Sequence, residues 1–197
     1  MLRFASAALL LAILSQPLFS QASTASLIKS LPLAGDQTKI TILKYLVQQK
    51  SAEAYSAFIY YLGYGRAVQT VNLETVDYSQ EIREQSALGL GALKDAKALG
   101  ILQVCFEDED NIIVQRAIIN AIGSIADIKA LPFLGYTITT TRDQSLIFEC
   151  TRALSKYKDD RIIQPLLEIM KGPYIYSSKA VAAEALKNVG WPEGIGY

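Results

Sequence analysis

Histidine is absent from this sequence. The commonest general base near neutral pH and every Ser-His or Cys-His catalytic pair are therefore excluded. Net charge is absent as well, because 19 basic residues balance 19 acidic ones. A neutral chain gives no reason to expect nucleic acid as a partner. No nucleophile elbow, P-loop or glycosylation sequon occurs. We therefore predict no catalytic residue, no cofactor and no metal site, and we expect that the chain is not an enzyme.

Long hydrophobic runs are also missing, apart from one short run near the N-terminus. Arg3 precedes the apolar stretch Ala5–Leu14, and small residues follow at Ser20 and Ala22. This pattern predicts a secretory signal peptide over residues 1–22, a mature chain that starts at Ser23, and export, with a bacterial periplasm as the expected location. The alternative is a membrane anchor, for which the apolar stretch is short. We expect no membrane span after cleavage.

What the sequence does contain is a repeat. The segments DAKALGIL at 95–102, DIKALPFL at 127–134 and DDRIIQPL at 159–166 follow one another at intervals of 32 residues without gaps. Asp95, Asp127 and Asp159 occupy the same repeat position. A fixed period of 20 to 50 residues is typical of a solenoid, in which each unit buries its apolar face against the next. We interpret the aspartates, and the Lys or Arg two residues later, as capping and inter-unit bridging groups.

Each period predicts two helices, which we call A and B. Apolar residues recur at spacings of three and four, are interrupted near residue 126, and then resume. The A helices are expected at about 80–92, 112–125, 144–157 and 178–189, and the B helices at about 96–106, 128–138 and 160–171. The β-branched run ITTT at 138–141 should end its helix. The residues expected in the core between units are Leu90, Leu93, Leu102, Ile122, Ile125, Leu134, Leu154 and Leu166.

Residues 114–134, VQRAIINAIGSIADIKALPFL, resemble a HEAT repeat in the short form shared with the phycocyanobilin-lyase subfamily. The resemblance extends over about 80–190 and implies an all-α fold, an α-α superhelix of helical hairpins. We expect one solenoid domain over 23–197. It comprises a divergent N-terminal hairpin at 36–62 with helices at about 38–49 and 52–62, an insertion at 63–80, HEAT-like repeats at 81–190, and a tail at 191–197.

Two other features have structural interpretations. The acidic run EDEDN at 107–111 is expected to be a solvated, helix-capping turn, because it lacks the pattern of a calcium loop. Cys105 and Cys150 are expected to be buried thiols. A disulfide is the alternative in an exported chain, but a complete hairpin separates them in the repeat register, farther than a disulfide spans.

Tyrosine is concentrated at the two ends of the array. Tyr174, Tyr176 and Trp191 lie near the C-terminal end, while the other cluster surrounds the first hairpin and its exit. Tyrosines favour interface hot spots, and insertions into solenoids often form binding loops. These properties predict a partner-binding site. Its residues are Tyr60, Tyr61, Tyr64 and Arg66, with Tyr55 nearby. The alternative is that these rings only fill the ends of the stack.

A solenoid without recognisable catalytic groups predicts an exported, non-enzymatic scaffold or adaptor that binds protein partners in the cell envelope. Two alternatives stay open. The aromatic ends could bind a small ligand, peptide or glycan. The resemblance also allows a lyase-like enzyme.

Overall fold

The protein is an array of helical hairpins, seen in a computed structural model that describes residues 22–65, 69–71, 74–76 and 79–191. The predicted all-α superhelix is confirmed. The helices are α1 Thr24–Ser30, α2 Asp36–Gln48, α3 Tyr55–Leu62, α4 Gln80–Leu93, α5 Leu99–Glu107, α6 Ile112–Ile125, α7 Leu131–Thr140, α8 Gln144–Leu154, α9 Ile163–Lys171 and α10 Tyr176–Asn188. Among the helices in these ranges, none has the combination of length and apolar character that a membrane span requires.

The repeated aspartates begin each B helix. Asp95, Asp127 and Asp159 each accept a hydrogen bond from the backbone N–H two residues later, at 2.9–3.0 Å. Each bond opens a short 3₁₀ turn that leads into the α-helix. The predicted capping role is confirmed, because these carboxylates satisfy amides that the helix itself leaves unpaired. The Arg161 side chain also pairs with its own Asp159 at 2.7 Å, rather than with a neighbouring unit.

The A helices α2, α4, α6, α8 and α10 stack directly on one another. Two of these helix pairs approach closely at glycines one repeat apart. A Cβ added to Gly91 would lie 2.6 Å from the Ala121 Cα, and a Cβ added to Gly123 would lie 2.6 Å from the Ala153 Cα. The glycines at these crossings therefore set the spacing of the A layer. The B helices α5, α7 and α9 pack against the A helices and stand farther from one another.

The predicted helix positions agree with the structure to within a few residues. Helix α7 continues to Thr140, two residues past the predicted end, and the hydroxyls of Thr139 and Thr140 donate to the Tyr136 carbonyl at 2.9 Å. Those bonds let threonines occupy the last helical turn despite their low propensity. Helix α8 ends at Leu154 rather than at 157, because the Lys156 and Tyr157 amides donate to the Ala153 and Leu154 carbonyls, three residues back instead of four.

Most of the predicted core is buried. Leu90, Leu102, Ile122, Leu134, Leu154 and Leu166 have no exposed surface. Leu93 and Ile125 differ, because each is the last residue of an A helix and is only partly covered while packing against the core. Cys105 and Cys150 are both buried and no disulfide joins them, as predicted. Burial raises the pKa of the Cys150 thiol.

Two elements at the N-terminal end were not predicted. Helix α1 and the 3₁₀ turn Leu31–Leu33 precede the first hairpin, and Leu27 and Leu31 are buried against it. The insertion contains an antiparallel strand pair, β1 Gln69–Val71 and β2 Glu74–Val76. Its β-branched residues were an available signal. The predicted signal peptide lies outside the described residues except for Ala22, which packs against the core.

Candidate partner-binding cleft at the N-terminal end

A cleft of about 350 Å³ opens between α1, α2 and α3. Its wall combines aliphatic side chains from the unpredicted first elements with tyrosines from α3 and its exit. The lining residues are Ile28, Leu31, Pro32, Lys39, Ser56, Ala57, Tyr60, Tyr61 and Tyr64. We call this space the aromatic cleft. It exists because α1 folds back across the first hairpin and gives the tyrosines an opposing apolar wall.

The structure brings three of the four predicted site residues together. The rings of Tyr60 and Tyr61 meet edge to face with centroids 4.9 Å apart, and those of Tyr61 and Tyr64 lie 5.3 Å apart. The three differ in exposure: Tyr60 is 69% exposed, Tyr64 is half-buried, and Tyr61 is a core residue. Tyr60 is therefore the ring that a partner can cover, while Tyr61 supports it from below. Arg66 lies outside the described residues.

Lys39 places one buried cation at the cleft. Its ammonium donates to the Ala34 carbonyl at 2.6 Å and to Asp36 Oδ1 at 3.3 Å, and lies 5.1 Å from the centre of the Tyr64 ring. Burial by itself would lower the pKa of Lys39, but interactions with Tyr64 and Asp36 outweigh it and raise that pKa. The Tyr64 hydroxyl donates to the same Asp36 oxygen at 3.4 Å. Asp36 thus compensates the charge of Lys39, and the Lys39 ammonium orients the Tyr64 ring beside it.

A buried ion pair between Arg83 and Glu109, in the first regular repeat, also contacts the Tyr64 backbone. The Arg83 guanidinium donates to both carboxylate oxygens of Glu109, at 2.8 and 3.0 Å, and to the Tyr64 carbonyl at 3.4 Å. It also donates to Ser79, whose hydroxyl donates to the Gly65 carbonyl. The predicted solvated turn at 107–111 is therefore wrong for Glu109, which is buried because a guanidinium compensates its charge. Asn111 caps α6 as expected.

The remaining aromatic residues singled out in the sequence lie elsewhere. Tyr55 is half-buried at the start of α3. Tyr176 is 86% exposed at the start of α10, and Tyr174 and Trp191 pack partly against the core near that helix. Sequence reasoning missed Lys39, Asp36 and the α1 wall. The spacing of apolar residues around Lys39 is that of an ordinary helix, so only the fold shows that this lysine is buried beside the Ala34 carbonyl and the Tyr64 ring.

Known proteins share features of this sequence and fold. The family described as HEAT repeats matches residues 68–147. No curated protein matches the sequence. Among solved structures, the complex of CpcE and CpcF of phycocyanin lyase from Nostoc sp. PCC7120 matches with a TM-score of 0.66 and 18% identity. The match covers 86% of this chain and 66% of that chain. At this identity the likeness concerns the fold.

These comparisons correct one prediction. The expectation that the chain is not an enzyme is wrong, because a fold of this kind occurs in the complex of a phycocyanin lyase. A helical repeat fold and the lack of familiar catalytic motifs therefore do not exclude catalysis.

The comparisons also confirm the resemblance drawn from residues 114–134. The matched family spans the insertion strands and the first two regular repeats. The matched solved structure covers most of the array. Residues 68–147 of the chain thus match the family of HEAT repeats, and its fold is similar to that of the CpcE–CpcF complex of phycocyanin lyase.

Proposed function

We propose that this protein is an exported scaffold that binds a partner protein of the cell envelope through the aromatic cleft. The observation that carries the proposal is the exposure of Tyr60 above a rigid floor of Tyr61 and Tyr64. A large ring held in place by packed neighbours loses little conformational entropy on binding, which is why tyrosines often act as interface anchors. Arg66, predicted for the same site, would extend it beyond Tyr64.

Export is supported by the sequence pattern around Arg3 and Ala22 and by the start of α1. The predicted cleavage after Ala22 leaves Ser23 as the first residue, and the Ser23 hydroxyl accepts a hydrogen bond from the Ser26 N–H at 3.2 Å. Cleavage there would keep the helix cap intact. N-terminal sequencing of the native protein should find Ser23. Recovery of an intact Met1 would contradict export by this route.

Partner binding can be tested with two matched tyrosines. Tyr60 and Tyr176 are both strongly exposed but lie at opposite ends of the array. We expect the immobilised protein to retain one dominant protein from a cell-envelope fraction, identified by mass spectrometry. Tyr60→Ala should lose that protein, whereas Tyr176→Ala should retain it, and both variants should keep the wild-type melting temperature. Equal retention by both variants would reject the aromatic cleft as the binding site.

A second candidate is a lyase-type activity, which the fold match with the CpcE–CpcF complex of phycocyanin lyase supports. In this case the protein would change the absorption spectrum of phycocyanin on incubation. An unchanged spectrum, measured at several protein concentrations, would reject phycocyanin as a substrate and leave the scaffold proposal unaffected.

A further inference from the structure

The separation of the B helices leaves two grooves, one on each side of α7. The α7–α9 groove has a volume of about 560 Å³, and the α5–α7 groove has a volume of about 340 Å³. Tyr136 lines both grooves and is 68% exposed. It forms a ridge between them. Neither groove contains a residue of the aromatic cleft, so this surface is separate from the proposed site at the N-terminal end.

The α7–α9 groove is apolar with a basic rim. Its walls include Ile128, Pro132 and Pro165, and Lys129 and Arg161 stand at its edge. The Arg161 guanidinium is balanced by Asp159 through bonds of 2.7 and 2.8 Å. The Lys129 ammonium makes no ion pair within 4.0 Å in the described part of the chain. Lys129 therefore supplies an uncompensated positive charge beside an apolar surface.

Gly135 leaves part of the wall of the same groove without a side chain. It lies inside α7, where glycine costs roughly 0.5–1 kcal/mol relative to alanine. An added Cβ at this position would meet no atom within 4 Å, so packing within the protein does not require glycine. Gly100 in α5 is equally open but lines neither groove. Because Gly135 faces a groove, it allows another backbone to approach the helix closely, and Gly100 provides a matched control.

The rim of the α5–α7 groove is acidic, whereas that of the α7–α9 groove is basic. Phe106 and Phe133 meet edge to face within it, with centroids 5.3 Å apart. Glu107 and Asp143 stand at its rim. Asp143 already accepts hydrogen bonds from the Ser145 and Leu146 amides, whereas Glu107 forms no salt bridge with any residue that the structure describes. The two grooves thus present apolar surface with a positive charge on one side of Tyr136 and a negative charge on the other.

We propose that the two grooves together bind an extended peptide segment of a partner protein that crosses Tyr136. One apolar side chain enters each groove, an acidic residue lies beside Lys129, and a basic residue lies beside Glu107. An extended chain suits this arrangement because its alternate side chains point to the same side, so that two of them, separated by the residues that cross Tyr136, can face the two grooves. The opposite rim charges fix the direction of the peptide, since complementary charges determine register and exclude the reversed orientation.

Selection from a phage-displayed library of random nine-residue peptides tests the proposal on the full chain. Peptides enriched on the wild-type protein should carry two apolar positions, with an acidic residue at one end and a basic residue at the other. Tyr136→Ala should weaken their binding roughly tenfold or more, as expected for an interface hot spot. Gly135→Leu should weaken binding similarly by filling the groove, and Gly100→Leu should not. The double variant K129E/E107K should enrich peptides of reversed polarity.

The outcomes separate this surface from the aromatic cleft. Loss of binding in Tyr136→Ala, with retention in Tyr60→Ala, supports the proposal. Binding that is lost in Tyr60→Ala and kept in Tyr136→Ala overturns it and supports the cleft instead. The proposal also fails if no peptide is enriched, or if the enriched polarity stays the same in the charge-reversed variant. Because Tyr136 is mostly exposed, melting temperatures should be unchanged and exclude unfolding as the cause.

Discussion

The close approach of A helices at Gly123 makes a strong prediction about stability. A Cβ at this position would lie 2.6 Å from both the Cα and the Cβ of Ala153. Carbon atoms in favourable contact are about 3.5–4.0 Å apart, so the overlap is about 1 Å. One of the atoms is backbone, and a side-chain rotation cannot relieve the clash. Helices α6 and α8 would have to separate, and that movement would disturb the packing on both sides of the crossing.

The expected cost follows from two opposing effects. Alanine is the better helix former by about 0.8–1.0 kcal/mol, while overpacking a well-packed contact costs about 1–3 kcal/mol and occasionally more. Gly123→Ala should therefore lower the free energy of unfolding, despite its favourable helix propensity. Gly100→Ala gains propensity without any clash and should stabilise by about 0.4–1 kcal/mol. The difference between the two variants isolates the steric effect, which we expect to be about 1–3 kcal/mol.

Thermal and urea unfolding, followed by far-ultraviolet circular dichroism, would measure both variants. For a domain of this size, each kcal/mol corresponds to about 2–4 °C in melting temperature. Gly91→Ala should repeat the Gly123→Ala result one unit earlier, since its added Cβ would lie 2.6 Å from the Ala121 Cα. If Gly123→Ala proved as stable as Gly100→Ala, the proposed spacing of the A layer would be refuted.

Three further predictions concern single side chains. Leu134→Ala should destabilise by about 2–5 kcal/mol, because Leu134 is fully buried; a change below about 0.5 kcal/mol in urea unfolding would show a surface position. Tyr157 is buried and its hydroxyl has no hydrogen-bond partner among the described residues, so Tyr157→Phe should stabilise. Burial and Asp127 raise the pKa of Tyr157 to about 12. The unfolded tyrosine ionises first as pH rises, so wild-type stability should fall between about pH 10 and 12; an identical pH profile in Tyr157→Phe would contradict this assignment. Asp143 caps α8, and Asp143→Ala should cost about 0.5–2 kcal/mol near neutral pH. Hydrogen bonds from Ser145 and Leu146 lower the pKa of Asp143, so its contribution should disappear as pH falls below about 4. Asp143→Asn should retain the cap but lose that pH dependence, as unfolding at several pH values would show.

Local sequence was sufficient to predict the repeated hairpins. The spacing of apolar residues determines which face of each helix is buried, and the aspartates begin the B helices through bonds to amides two residues away. Both effects act within one repeat unit, so a period of 32 residues was enough to locate them. The tyrosine cluster was also visible, because three of its members lie within five residues of one another.

Tertiary packing decided the rest. Lys39 and Glu109 belong to polar stretches that predict solvent-facing side chains, yet both are buried. The nearby Asp36 and the distant Tyr64 ring compensate the charge of Lys39, and the distant Arg83 compensates that of Glu109. Tyr61 and Tyr60 are neighbours in sequence, but only the packing of α3 makes one a core residue and the other an exposed ring. The grooves beside Tyr136 arise from the gaps between B helices, which depend on how the units stack. The periodicity of the sequence indicates which residues share a helix face. The distance between packed helices instead depends on contacts such as that of Gly123 with Ala153, because the stacking of successive units brings these residues together.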